Sequence, residues 1–156
     1  MFTINIPGNG WFTLKNVILD FNGTIALDGD ILPGVKEKLN QISNIMDIYI
    51  LTADTFGTCA SACSNIKGKI TILKEPLGSI EKLEFIHKLG ANETIAIGNG
   101  TNDEMMLKEA ILGIAVLGPE GASFKALTAA DVIVPDIICG LTLLLKPKRL
   151  VATLRG

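Results

Sequence analysis

The chain has 156 residues, 48% of them hydrophobic and 19% charged, with a net charge of −2. That length and apolar fraction suit a single domain over 1–156 with a sizeable core, and exclude a disordered chain. The near-neutral balance, without a basic block, argues against nucleic acid or an anionic membrane surface as partner, and no apolar run reaches the length of a membrane span.

The start, Met1 to Ile6, lacks a basic region followed by a long apolar run, so it does not read as a secretion signal, and the chain is expected in the cytoplasm. Residues 2–6 alternate in β fashion, Pro7-Gly8-Asn9-Gly10 signals a turn, and Trp11 to Leu14 is again β-like, which predicts an N-terminal hairpin. Val17-Ile18-Leu19 then reads as the buried end of a parallel strand that delivers Asp20 to the point where the chain turns. The carboxyl ends of parallel strands are where open α/β sheets place their ligands. Gly23 and Thr24 add a tight turn, backbone N–H groups and a hydroxyl, a combination suited to an anion. Residues 25–31, with Asp28-Gly29 at their centre, predict a short second hairpin lying over this turn as a flap.

Pro33-Gly34 opens a helix carrying Val35, Leu39, Ile42 and Ile45 at helical spacing. Asp47 to Leu51 is the next buried strand and runs into Thr52-Ala53-Asp54. A helix over about 55–65, a strand over 69–73, a Pro-Gly loop and a helix over about 79–89 follow. Thr94 to Ile97 is a further strand, ending in Gly98-Asn99-Gly100-Thr101-Asn102-Asp103. A helix from about Glu104, a strand over 113–117, a helix near 120–129, a strand over 131–134, a helix over about 137–145 and a basic tail through Arg155 complete the chain. This alternation predicts a parallel sheet with helices on both faces.

Parallel strands bring three polar clusters to one edge: Asp20 with Asn22 and Thr24, then Thr52, then Asn99 with Asp103. Group transfer there would need an anionic nucleophile, groups that bind the oxygens of the transferred group, oxygen ligands for a hard metal and a cation against developing charge, and the clusters lack only the cation. Lys82, at the start of the 79–89 helix, and Lys74, at the end of the 69–73 strand, are the candidates. Cys59 and Cys63 share a helix face, and without a second cysteine pair or nearby histidine they read as small buried hydrophobes; His87 reads as a partly exposed helix residue.

Asp20-Phe21-Asn22-Gly23-Thr24, Leu51-Thr52-Ala53-Asp54, Glu81-Lys82 and the Gly98 to Asp103 string resemble, in order, the four motifs of the haloacid dehalogenase superfamily, in its soluble, P-type-ATPase-like phosphatase branch. The resemblance implies a Rossmann-like, doubly wound sheet and a Mg²⁺-dependent hydrolase acting on a phosphorylated small molecule or a phosphoprotein. It makes Asp20 the nucleophile that forms an aspartyl-phosphate, with Thr52 and Lys82 assisting. Phosphoryl oxygens would meet Asn22, Gly23, Thr24, Thr52 and Ala53, and Mg²⁺ would be held by Asp20, the Asn22 carbonyl, Asn99 and Asp103.

Two positions depart from the pattern. The family's phosphatases usually carry an aspartate acid–base two residues after the nucleophile, where this chain has Asn22; the first acidic position of the fourth motif is Asn99. An amide cannot transfer the proton, so turnover is expected to be slow, and the alternative is a phosphate-binding or regulatory protein that has lost it. The interval between Asp20 and Thr52 holds only a hairpin and one helix, too little for a large cap, so the site is expected to be open, with a large substrate or a homo-oligomer partner as lid. A two-component receiver domain fits less well, because no acidic pair precedes the Asp20 strand, and a dinucleotide-binding loop would need a third glycine where Asp103 stands.

Overall fold

The computed structural model describes residues 1–54, 57–74 and 78–156. Its centre is a six-stranded, wholly parallel sheet in the order β10-β9-β8-β3-β6-β7. The strands are β3 (Asn16–Asp20), β6 (Asp47–Thr52), β7 (Lys69–Ile72), β8 (Thr94–Gly98), β9 (Leu112–Val116) and β10 (Val132–Val134). Four of them, β3, β6, β8 and β9, are apolar along most of their length, as expected of strands covered on both faces.

Alternation along β3 divides the core. Val17 and Leu19 face a cluster containing Val35, Leu39 and Ile42 of α1 (Val35–Ile42), Cys59 of α2 (Cys59–Ala62), Ile137, Leu141 and Leu144 of α6 (Ile137–Leu145), and Leu150 of α7 (Pro147–Leu154). Ile18 faces the other, with Ile86 of α3 (Ser79–Leu89), Met106 and Leu107 of α4 (Glu104–Glu109) and Ala126 of α5 (Phe124–Ala129). Burying all of these side chains is the dominant stabilising term, at about 1.5–3 kcal/mol for each large aliphatic one.

The chain leaves β3 for β6 and β7 on one side, then returns to β8 on the other. That reversal lies beside β3, so the crevice at its carboxyl end is the binding position for this topology. The β1 (Phe2–Ile6) and β2 (Gly10–Leu14) hairpin and the β4 (Ala26–Leu27) and β5 (Asp30–Ile31) hairpin both form as expected. Asp28 and Gly29, with φ of 51° and 88°, turn the second one. Between β3 and β6 the chain holds only this hairpin and α1.

Three elements depart from expectation. The 55–65 helix contracts to Cys59–Ala62, flanked by Gly57-Thr58 and Cys63-Ser64-Asn65, which are weak helix formers; its expected start at 55 and 56 lies outside the described residues, as does most of the Pro76-Leu77-Gly78 loop. The helix near 120–129 begins only at Phe124, where Ser123 accepts from the Ala126 N–H at 3.1 Å, because Gly118 and Gly121 take positive φ and keep the preceding residues in a loop. Residues 147–154, expected as a basic tail, form helix α7 with Pro147 in its first turn. Proline ends one helix and starts the next, and Leu150 packs fully buried beneath the new one. Among the described residues no helix is long and apolar enough to cross a membrane.

Candidate active site

Hydrogen bonding in β3 places Asp20 beside Leu51 of β6, one residue before Thr52, while Leu19 lies beside Ile97 of β8. The three expected clusters therefore meet at one edge. Lys82, in the first turn of α3, crosses beneath this edge with only 1% of its surface exposed. Its Nζ donates to Asp20 Oδ1 at 2.7 Å and to Asp103 Oδ1 at 2.6 Å. Of the two candidate lysines this is the one brought to the site; Lys74 is exposed, its main-chain N–H donating to Glu81 at 3.1 Å.

Burying three charges is costly unless they are matched. Desolvation, aided by repulsion from Asp103, pushes the Asp20 carboxyl up to about 6, although Lys82 and the Phe21 N–H pull it down. Burial works against the Lys82 ammonium, but Asp20 and Asp103 together outweigh it and hold its pKa above the usual lysine range. Lys82 is thus a cation locked between two carboxylates, and Asp20 is a carboxylate with reduced preference for its charge.

Asp103 is fully buried and saturated. Its Oδ2 accepts from the N–H groups of Asn99 and Gly100 at 3.0 and 2.9 Å, which closes the turn after β8, while Oδ1 takes Lys82. Thr24, also fully buried, points its hydroxyl at Asp20 Oδ2 (3.3 Å) and Asn99 Oδ1 (3.2 Å), with one proton for two acceptors. The Asn99 amide nitrogen donates to Gly121 O at 3.0 Å. Thr52 is buried and its Oγ1 accepts from the Asp54 N–H at 2.9 Å, so its own proton remains to be donated. Asp54, left-handed at φ 47°, turns its carboxylate to the N–H groups of Thr58 and Cys59 at the head of α2. Ala53 is exposed beside Thr52.

The Asn22 side chain is not idle. Its Oδ1 accepts from the Gly29 N–H at 2.9 Å and ties the β4–β5 hairpin to the turn that follows Asp20. The N–H groups expected to receive an anion are used within the turn: Gly23 donates to Ala26 O at 2.7 Å, and Thr24 to Phe21 O at 3.2 Å. Gly23 itself, at φ 85°, has no room for a side chain, because a Cβ would lie 2.5 Å from Glu120 Oε2 and 2.6–2.8 Å from the Asn99 amide. Glu120 is the site neighbour that sequence reasoning missed; the available signal was its place after the end of a parallel strand, in Gly118-Pro119-Glu120-Gly121.

Among the described residues no three His, Cys, Asp or Glu side chains are grouped to hold a metal. The donors at the site are instead mixed oxygens: the carboxylates of Asp20, Asp103 and Glu120, side-chain amides and main-chain carbonyls. Cys59 and Cys63 are buried with their sulfurs 3.9 Å apart, and His87 is exposed, 2.9 Å from Glu109.

No family model matches the sequence. An uncharacterised protein of Methanocaldococcus jannaschii is 48% identical over 82 residues, which span 52% of this chain and 88% of that protein. The phospholipid-transporting ATPase tat-1 of Caenorhabditis elegans is 31% identical over 91 residues, 56% of this chain and 8% of the ATPase. Among solved structures, the 3-deoxy-D-manno-octulosonate 8-phosphate phosphatase of Moraxella catarrhalis, in complex with magnesium, phosphate and its sugar, superposes with a TM-score of 0.70 at 17% identity, over 91% of this chain and 94% of the phosphatase. The fold is that of the haloacid dehalogenase hydrolases. By sequence, the chain belongs to the same family as the uncharacterised M. jannaschii protein.

Proposed function

We propose that this protein is a phosphoryl-transfer hydrolase, a slow phosphatase that works through an aspartyl-phosphate on Asp20. The observation that carries the reading is the buried Lys82 bridge, 2.7 Å to Asp20 and 2.6 Å to Asp103, at the crevice of a doubly wound sheet. Lys82 holds Asp20 Oδ1, and Oδ2, which meets Thr24 only at 3.3 Å, would be the attacking oxygen. Oδ2 forms a bond to phosphorus as the bond to the leaving oxygen breaks; water then cleaves the acyl phosphate and releases inorganic phosphate. The Lys82 charge and the Thr52 hydroxyl would stabilise the phosphoryl oxygens.

The oxygen donors fit Mg²⁺, which favours one or two carboxylates supplemented by carbonyls, water and substrate phosphate. Asp20, the Asn22 carbonyl and Asn99 would hold it, and Asp103, whose oxygens are already engaged, would reach it through water. Bound there, Mg²⁺ supplies Lewis acidity against the charge of the transferred group. The substrate is a phosphorylated small molecule or phosphoprotein reaching an open crevice, in a cytoplasmic protein that works alone or as a homo-oligomer.

A second reading, phosphate binding without turnover, is favoured by one observation: Asn22, where related phosphatases carry their acid, is engaged in holding Gly29. Turnover of para-nitrophenyl phosphate with Mg²⁺ separates the two. Activity that is lost in Asp20→Asn and rises in Asn22→Asp by about 10²–10⁴-fold, the range typical of a general acid, supports the phosphatase. No activity in any of the three, with phosphate still bound, supports the binding protein.

A further inference from the structure

We propose that Glu120, in the loop between β9 and α5, is a cation-binding carboxylate of this site, holding a divalent metal such as Mg²⁺ together with Asp20 and Asn99. The inference rests on the phosphoryl-transfer reading of Asp20 and adds a residue that none of the four motifs contains.

The loop is fastened across the site on both sides of Glu120. The N–H groups of Leu117 and Gly118 donate to Val134 O and Pro135 O at 3.0 and 3.2 Å, which fixes its start to the end of β10. Gly118, at φ 46°, then passes so close to the nucleophile turn that a Cβ on it would lie 3.0 Å from Gly23 O. Beyond Glu120, Gly121 O accepts from the Asn99 amide at 3.0 Å, and the Ser123 N–H donates to Asn99 O at 2.8 Å. The backbone of Glu120 is therefore clamped to both the first and the fourth motif.

Its side chain is exposed to solvent and lies over the Gly23 turn. The space left by the missing Gly23 side chain is bordered by Glu120 Oε2 at 2.5 Å and by Asn99 Nδ2 and Oδ1 at 2.6 and 2.8 Å. A carboxylate oxygen and an amide oxygen thus converge beside the turn that starts at Asp20. Glu120 has no hydrogen bond or ion pair among the described residues, whereas Asp20 and Asp103 are both held by Lys82. With Lys82 counted against them, those two aspartates leave a single net negative charge, too little for a bare divalent cation in a site where Asn22 and Asn99 are neutral. Glu120 makes it two. Gly23 then serves two ends, the left-handed turn and the space through which this carboxylate reaches the metal.

The experiment is calorimetric titration of Mg²⁺ into phosphate-free full-length protein, for wild type, Glu120→Gln, Glu120→Asp and Asp20→Asn, with melting curves to show that each is folded. Glu120→Gln should weaken Mg²⁺ binding by at least about tenfold, the scale on which metal-site partners act. Glu120→Asp, which keeps the charge on a shorter arm, should recover part of the loss, and raised Mg²⁺ should restore the turnover of Glu120→Gln. Wild-type affinity in Glu120→Gln, with binding lost in Asp20→Asn, overturns the role of Glu120 and leaves the phosphatase reading standing. No Mg²⁺ uptake by wild type, together with no labelling of Asp20 by acetyl phosphate, overturns both.

Discussion

Asp20, Lys82 and Asp103 form a buried triad with one cation for two anions, and its stability follows from that imbalance. Asp20 titrates at about 6 in the folded chain against 3.8 as the ordinary value. An acid whose folded pKa is raised favours folding while protonated in both states, below about 4, and that advantage is lost as pH rises through 6. Asp20→Asn removes the penalty and leaves Lys82 paired with Asp103. Metal-free Asp20→Asn is therefore expected to be more stable than wild type by about 1–3 kcal/mol at pH 8 and equal to it at pH 4. Urea unfolding at the two pH values checks this, and a variant less stable at pH 8 would sink the account. Lys82→Met has the opposite effect, stranding two carboxylates; a loss of about 3–5 kcal/mol is expected in the same unfolding assay at pH 8. A change within experimental error would mean that water reaches the triad.

At the scale of elements, the strands and the positions of their polar ends could be read from the sequence because a parallel strand is a short apolar run with an abrupt polar stop, as at Leu19-Asp20 and Ile97-Gly98-Asn99. Choosing between Lys74 and Lys82 needed the third dimension, since both flank the same crossover. Helix α7 was hidden because Pro147 reads as a terminator, and Lys148 and Arg149 draw attention from the one side chain that matters, Leu150. Leu150 is fully buried, while Lys148 and Arg149 are exposed. Leu150→Ala should cost about 2–5 kcal/mol. Lys148→Ala with Arg149→Ala should stay within about 0.5 kcal/mol each, as for surface positions without partners. Equal losses by thermal unfolding would return residues 147–154 to the status of a tail. Glu120 was missed for a different reason: its place after the end of β9 is a weak signal, and its approach to Gly23 and Asn99 depends on a loop folding back, which no local pattern encodes.

At the scale of the molecule, a parallel sheet gathers side chains that are distant in sequence, Asp20, Thr52, Lys82, Asn99 and Glu120, at one edge, and the described residues between β3 and β6 add only the β4–β5 hairpin and α1. An open crevice of this kind draws much of its ligand affinity from charge. Phosphate and Mg²⁺ together should therefore stabilise the protein more than the sum of either alone. At a hundredfold excess over the dissociation constant the gain is about 2.7 kcal/mol, read as a rise in melting temperature. Strict additivity would show that metal and phosphate occupy separate places.

The two asparagine–glycine pairs of the site bear on how the protein ages. Spontaneous loss of ammonia at such a pair requires the glycine nitrogen to attack the asparagine side chain, and deamidated Asn22 would be the very acid that related phosphatases carry. Both routes are obstructed: the Gly23 N–H is bound to Ala26 O and the Asn22 amide to Gly29, while the Gly100 N–H is bound to Asp103 and the Asn99 amide to Gly121. Folded protein stored at neutral pH should keep both amides, as intact mass would show, while the unfolded chain loses them, so the turn that follows Asp20 also keeps its chemistry from drifting with time.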